Sequence, residues 1–375
     1  MPFADDLVNA STALALTSAI EATLPAAARL PALRAAAAQL APGSPLPLRE
    51  RSDLLRDALL ADLPGDYAAF DTTVRCAAAS TSFSGWLIWP VTGAVVARAL
   101  AEGTDEAFDA ALSLLADLTG RLTSEFAIRG LLDHDLDRAV GRILEWTSSP
   151  DVHVRRLASE GTRPFLPWAV RVPTILARPG ATVPILDALR EDDSEYVRRS
   201  VANHLNDLSR QEPDLAVEIA ARWLATPGPS TDRTVRHGLR TLTKQGHPGA
   251  LGLLGYAPAV DVHVDGPRLE ATAVPFGGSL TFSATLTNTG TAPATILVDY
   301  VVHHRKANGT RTPKTFKLTT RTIAPGETLE LRRTHSFRPI TTRRYHPGGH
   351  AIELQINGAR TPPADFDLSE DIRGG

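Results

Sequence analysis

Three carboxylates and one tryptophan occupy positions where side-chain type and spacing could do chemistry. Glu160 ends the run Ser149-Pro-Asp-Val-His-Val-Arg-Arg-Leu-Ala-Ser-Glu160. The run reads as a helix with Ser149 as N-cap, Pro150 at the first helical position and Asp151 in the first turn. Gly161 supplies a left-handed C-cap and Pro164 lies beyond it, so Glu160 falls in the last turn. There the carbonyl end of the helix opposes a carboxylate by roughly 0.3–1 kcal/mol. A residue held against its electrostatic preference points to function. His153, Arg156 and Glu160 are three and four residues apart and share a face, and the turn over 161–167 then delivers Trp168 to the start of the next helix. Asp207 repeats the pattern, late in a helix that places Arg199, Asn203 and Asp207 on one face. Glu125 precedes Arg129 by four residues, the favourable order for an ion pair. Taken singly, these are also what an Arg156–Glu160 surface pair and a core tryptophan would look like. Taken together, converging carboxylates can hold a developing positive charge or take a proton from water.

Convergence requires a scaffold that presents equivalent positions side by side. Up to about residue 255 the periodicity is helical, as in SDLLRDALLADL, DEAFDAALSLLADL, DLDRAVGRILEWT, VPILDALR and PDLAVEIAARWLAT. Within it a weak repeat aligns DVHVRR, SEYVRR and DRTVRH on Val154, Val197 and Val235, which are 43 and 38 residues apart. That spacing is close to the roughly 40-residue period of helical-pair repeats of the HEAT type. The fold expected is mostly α, an α-solenoid with a concave surface on which successive repeats can align Glu125, Glu160 and Asp207.

From Asp261 the pattern changes to short alternating runs such as SLTFSATLTNTG, ATILVDYVVHH and AIELQING, separated by Gly, Pro and Asn. About seven strands in this tail fit a small all-β immunoglobulin-like sandwich lacking the usual Cys pair. The expected domains are residues 1–255 and 256–375, joined by a hinge in YAPAVDVHVDGP.

Charge divides the same way. Residues 1–260 hold 25 Lys and Arg against 31 Asp and Glu, whereas 261–375 hold 14 against 11. Within 301–349 the count is 11 basic residues against Glu327 and Glu330, so a polyanion could dock there, although a solvated set of strand faces reads the same way. Arg outnumbers Lys by 35 to 4.

Several function classes drop out. The 375 residues include a single Cys, Cys76, which excludes a disulfide framework and a cysteine-based zinc site and suggests a reducing compartment. His303 and His304 on one strand would point to opposite faces, and His346 and His350 in the PGGH region read as surface residues, so no metal is expected. There is no Gly-rich phosphate loop and no apolar run long enough for a membrane span, so a soluble cytoplasmic protein, monomeric and without a cofactor, is expected.

The segment HVRRLASEGTRPFLPWA, with SEFAIR before it and SVANHLNDLSR after it, resembles the DNA-alkylation-repair glycosylases built from HEAT-like repeats, specifically the AlkC branch. The resemblance covers most of 1–255, and some members of that branch carry an immunoglobulin-like C-terminal domain. One departure is Phe165, where a basic residue is expected. The resemblance implies a DNA glycosylase that hydrolyses the N-glycosidic bond of cationic alkylated bases, 3-methyladenine first and 3-methylcytosine second, in duplex DNA. It further implies roles: Glu160 and Asp207, with Glu125 as third partner, stabilise an oxocarbenium-like deoxyribose and position water, and Trp168 offers its π face to the sugar. The base would be reached without full flipping. Arg129, Arg155, Arg156, Arg163 and Arg199 become candidate phosphate contacts on the solenoid, with Lys314, Lys317, Arg343 and Arg344 on the tail. Two other readings stay open: a solenoid that binds a protein partner, and a DNA-binding relative without catalysis.

Overall fold

The computed structural model describes residues 4–259, 261–341 and 343–370. It divides into two compact units, Met1–Leu208 with Pro227–Gly238, and Ser209–Thr226 with Leu239–Gly375.

The first unit is built of helices with short connections. The expected amphipathic runs fold as helices Leu48–Asp62, Asp105–Leu118, Leu136–Glu145 and Val183–Leu189. Asp105–Leu118 shows why: the Thr104 side chain accepts from the Ala107 N–H, two acids occupy the first turn, and Phe108, Ala111, Leu112 and Leu115 form its buried stripe. The three repeat motifs lie on helices Val152–Gly161, Glu195–Leu208 and Thr231–Gly238, which pack in series. Val154, Val197 and Val235 are buried, so the aligned valines are the core positions of stacked repeats. Close stacking also needs glycine at the contacts. A Cβ on Gly238 would lie 2.6 Å from Leu205 Cδ2, and one on Gly161 would lie 2.9 Å from Ile128 Cγ2.

In the second unit helices Pro213–Ala225, Arg240–Gln245 and Pro248–Leu253 accompany nine strands: β1 (Val262–Leu269), β2 (Ala273–Val274), β3 (Ser279–Asn288), β4 (Ala294–Arg305), β5 (Arg311–Ile323), β6 (Thr328–Ser336), β7 (Gly348–Ile356), β8 (Ala359–Arg360) and β9 (Ala364–Leu368). One sheet runs β1-β3-β6 and the other β2-β9-β7-β4-β5, with β8 on β7. Alternating residues of the two sheets, among them Phe282, Leu286, Val298, Tyr300, Ile352 and Leu354, close a shared apolar core. The expectation of about seven strands misses the two-residue strands, which carry no alternation to read. The expected hinge is shorter than its sequence implied. Its second half pairs with β3 as β1, and Val260 lies outside the described residues.

His350 corrects the surface reading of the PGGH region. It is fully buried, its Nδ1 accepts from the Arg305 N–H at 3.3 Å, and its Nε2–H donates to the His346 carbonyl at 2.9 Å. Among the described residues no group of three or more His, Cys, Asp or Glu is arranged to hold a metal, and no helix is long and apolar enough to cross a membrane.

Candidate active site

Five side chains of the helical unit form one alternating chain of charge. Arg156 Nη1 donates to Glu125 Oε2, and its Nη2 lies 3.4 Å from Glu160 Oε1. Arg163 Nη1 donates to the same Glu160 oxygen at 2.6 Å, while its Nε donates to Asp207 Oδ2 at 2.8 Å. Three carboxylates therefore share two guanidiniums. The three acids named from sequence come together, each from a different repeat level.

The local geometry differs from the sequence reading in ways that explain this. Helix Val152–Gly161 is capped by Asp151, whose carboxylate accepts from the His153 N–H at 2.8 Å, and not by Ser149. Gly161 stays helical, because its missing Cβ makes room for Ile128. Glu160 is buried in the last turn, where Ser200 Oγ–H donates to its Oε2 at 2.6 Å. Burial works against the ionised Glu160, but Arg156, Arg163 and Ser200 outweigh it and hold its carboxyl below the ordinary value. Glu160 is thus an anion at neutral pH despite its helix position.

Trp168 does not start a helix. It lies in the irregular segment before helix Pro173–Ala177, with φ of 63°, a left-handed backbone that bulky residues rarely adopt. It is 56% exposed, which excludes the core-tryptophan reading. Trp168, Pro167, Leu166, Trp86, Phe126, Leu122 and Thr123 line an open hollow of about 320 Å³ into which Glu125 and Glu160 also face. An apolar, aromatic wall thus stands beside Glu125 and the ionised Glu160. That combination suits a flat, positively charged or charge-developing group.

The basic residues fall into two sets. Arg129 is buried and donates to the carbonyls of Val170, Gly161 and Arg163; it makes no pair with Glu125 and cannot reach a phosphate. Arg163 is buried between Glu160 and Asp207. Arg155 grips Asp192 through Nε at 2.6 Å and also donates to the Ser149 and Pro150 carbonyls. These three are corrected from phosphate contacts to internal ties. Arg156 joins the acid chain and lies 5.4 Å from the centre of the Tyr196 ring. Arg199 is exposed, pairs with Glu195 at 3.2 Å, and lines a second hollow of about 350 Å³ with Arg198, Arg233 and His237. In the second unit Lys314, Lys317 and Arg344 are exposed, whereas Arg343 is half-buried and donates to His304 Nε2 at 2.9 Å. Phe165 supports the Arg171 guanidinium, 5.0 Å from its ring centre.

Sequence reasoning missed Ser200, although it precedes Asp207 by seven residues, two turns on one helix face. Nor does the sequence separate the roles of Trp86 and Trp89 in GWLIWP. Trp89 is buried against Phe126 at 5.0 Å between ring centres, but Trp86 borders the hollow.

Stacked helical pairs followed by an immunoglobulin-like sandwich, with an acid–arginine chain beneath an exposed tryptophan, define a class of HEAT-like-repeat protein with an immunoglobulin-like tail. Residues 263–370 match the family described as the C-terminal Ig-like domain of the uncharacterised protein YhaZ. The uncharacterized protein YhaZ of Bacillus subtilis strain 168 is 34% identical over 323 residues, covering 86% of this chain and 88% of that protein. The Pseudomonas fluorescens alkylpurine DNA glycosylase AlkC, solved bound to DNA containing an abasic site analog, shares 32% identity and a TM-score of 0.85, covering 98% of this chain and 100% of that one. The chain belongs to this AlkC-like family, YhaZ included.

Proposed function

We propose that this protein is a DNA glycosylase that hydrolyses the N-glycosidic bond of cationic alkylated bases in duplex DNA. The substrate expected first is 3-methyladenine, with 3-methylcytosine second. The observation that carries this reading is the meeting of Glu125, Glu160 and Trp168 at one open hollow, with Asp207 linked to Glu160 through Arg163. The likeness to a solved alkylpurine DNA glycosylase over nearly the whole chain supports it.

The chemistry follows from the leaving group. A base that already carries positive charge departs as a neutral molecule and needs no general acid. The remaining demand is to stabilise an oxocarbenium-like sugar and to direct water onto it, both of which carboxylates do. Glu160 is suited to the first task because it is held ionised in a partly desolvated place, where its field is screened least. Asp207 and Glu125 complete the negative side of the site. Trp168 presents a π face against which positive charge is favoured. In this reading residues 1–255 carry catalysis and residues 256–375 help grip the duplex. Arg199, Lys314, Lys317 and Arg344 meet phosphates, and Arg198 and Arg233 join them as candidates.

The deciding experiment is release of free base from methylated duplex DNA by the wild type and by Glu160→Gln. Release of 3-methyladenine by the wild type, reduced about 10²-fold or more in the variant, is the expected result. No release with duplex binding intact would turn the reading to a DNA-binding relative without catalysis. No release and no binding would turn it to a protein-binding solenoid.

A further inference from the structure

Arg129 is among the most deeply buried charged residues of the helical unit, at 1% exposure, yet among the described residues no carboxylate lies within salt-bridge distance of it. Its Nε donates to the Val170 carbonyl at 2.6 Å, and its Nη1 to those of Gly161 and Arg163 at 3.1 and 2.9 Å. Its Nη2 meets no acceptor among the described residues. Burial pushes the guanidinium down to about 10, which still leaves it charged at neutral pH. A buried cation without a carboxylate is costly to desolvate, and here only backbone carbonyls compensate it. What the arginine supplies is geometric. Its rigid fork ties the start of one segment, at Gly161 and Arg163, to its end at Val170.

Trp168 lies inside that segment, in the strained left-handed conformation, with its ring exposed over the hollow. Its own carbonyl accepts from Arg49, so the segment is tied from a second side. Strained backbone and a costly buried cation occur together where they fix one side chain that would otherwise relax. We propose that Arg129 is a positioning residue that acts through Trp168, holding the indole over the acid chain in the conformation that receives the substrate. The proposal rests on the glycosylase reading for its consequence, but not for its geometry.

The test has two independent readouts. In protein labelled with 5-fluorotryptophan, the fluorine resonance of Trp168, assigned with Trp168→Phe, reports its surroundings without any substrate. Arg129→Gln should shift or broaden that resonance and leave those of Trp146 and Trp223 in place. Single-turnover release of 3-methyladenine then gives a double-mutant cycle. Arg129→Gln should slow the wild type about tenfold or more but the Trp168→Ala background by less than about twofold, because coupled residues are not additive. If Arg129→Gln does not fold, Arg129→Lys keeps the cation, loses the fork, and should give the same pattern. An unmoved Trp168 resonance, or equal slowing in both backgrounds, would overturn the proposal. A wild type that releases no base would overturn the glycosylase reading alone, with the resonance still deciding the role of Arg129.

Discussion

In the helical unit five acidic and basic side chains run inward as one alternating chain, Glu125, Arg156, Glu160, Arg163 and Asp207, whereas the interior of the sandwich holds His304, His335 and His350. Burial pushes His304 down to about 3 and His335 to about 4, and lowers His350 as well, so the sandwich keeps its buried polar rings uncharged. They sit among Phe337, Tyr345 and Phe366, with ring centres 5–6 Å apart. The contrast follows from architecture. Stacked helical pairs bring side chains of successive repeats to one level, so opposite charges from residues about 40 positions apart can compensate each other. In the sandwich β3 alternates between core and surface, whereas β4 and β7 are buried along most of their length and carry Asp299 and Glu353, the latter paired with Arg360 at 3.0 Å. Lys314, Lys317 and Arg344 face outward, with no carboxylate within salt-bridge distance among the described residues. What sets the first unit apart is a chain of charge shared between successive repeats, and what sets the second apart is a set of outward-facing cations.

The sharpest way to break this comparison is to remove the central cation. Arg163→Met would leave Glu160 and Asp207 buried without their shared partner, and unpairing a buried ion costs about 3–5 kcal/mol. Urea unfolding should show a loss of that size. The pH dependence should change too. Glu160 contributes stability above its unfolded value that is lost as pH falls through its depressed folded value, and without Arg163 that loss should begin at higher pH. A loss below about 1 kcal/mol, as for a surface pair, would mean that the chain of charge is not a buried network.

A smaller effect tests the neutral histidines. A histidine whose folded value lies below its unfolded value binds more protons when unfolded, so stability falls as pH drops from about 6.5 towards 4. His335 faces Tyr300, Phe316 and Phe337, with Arg333 and Arg343 as the nearest charges. Asp299 acts in the opposite sense. Burial pushes it up to about 6, so it gains stability over the same descent. His335→Phe should therefore lose less Tm than wild type between pH 7 and pH 5, and Asp299→Asn should lose more. Identical pH profiles for all three proteins would show that burial at these positions does not set their charge.

The sequence made the repeat legible because its valines are core residues, and core spacing survives in periodicity. It made the three carboxylates legible because Glu160 and Asp207 stand where a helix end disfavours them. It could not show which arginines face inward. Arg155, Arg156 and Arg163 lie within nine residues, and only the packing of neighbouring repeats decides that one meets Asp192, one Glu125 and one both Glu160 and Asp207. Trp168 reads from the sequence as the start of a helix, but it stands in an irregular segment with a left-handed backbone. The left-handed turn at 168 depends on ties from Arg129 and Arg49, 39 and 119 residues away, which no local pattern encodes. His350 was misread for a similar reason, since a Gly-rich run looked like a loop and pairs as a strand with β9.

The smallest expected effect on stability is also the one that separates the two sets of basic residues. Exposed cations without partners contribute little to folding, so Lys314→Ala, Lys317→Ala and Arg344→Ala should each stay within about 0.5 kcal/mol of wild type. If they meet phosphates, each should weaken duplex binding almost independently of sequence and lower the slope of log affinity against log salt by about 0.9. Arg155→Ala should do the reverse. It loses a paired tie to Asp192 and two carbonyls, so unfolding should shift while the salt slope stays constant. Salt slopes that respond to Arg155 and ignore the lysines would invert the division between inward and outward cations. In that case the polyanion-binding surface would have to be sought on the helical unit around Arg198, Arg199 and Arg233.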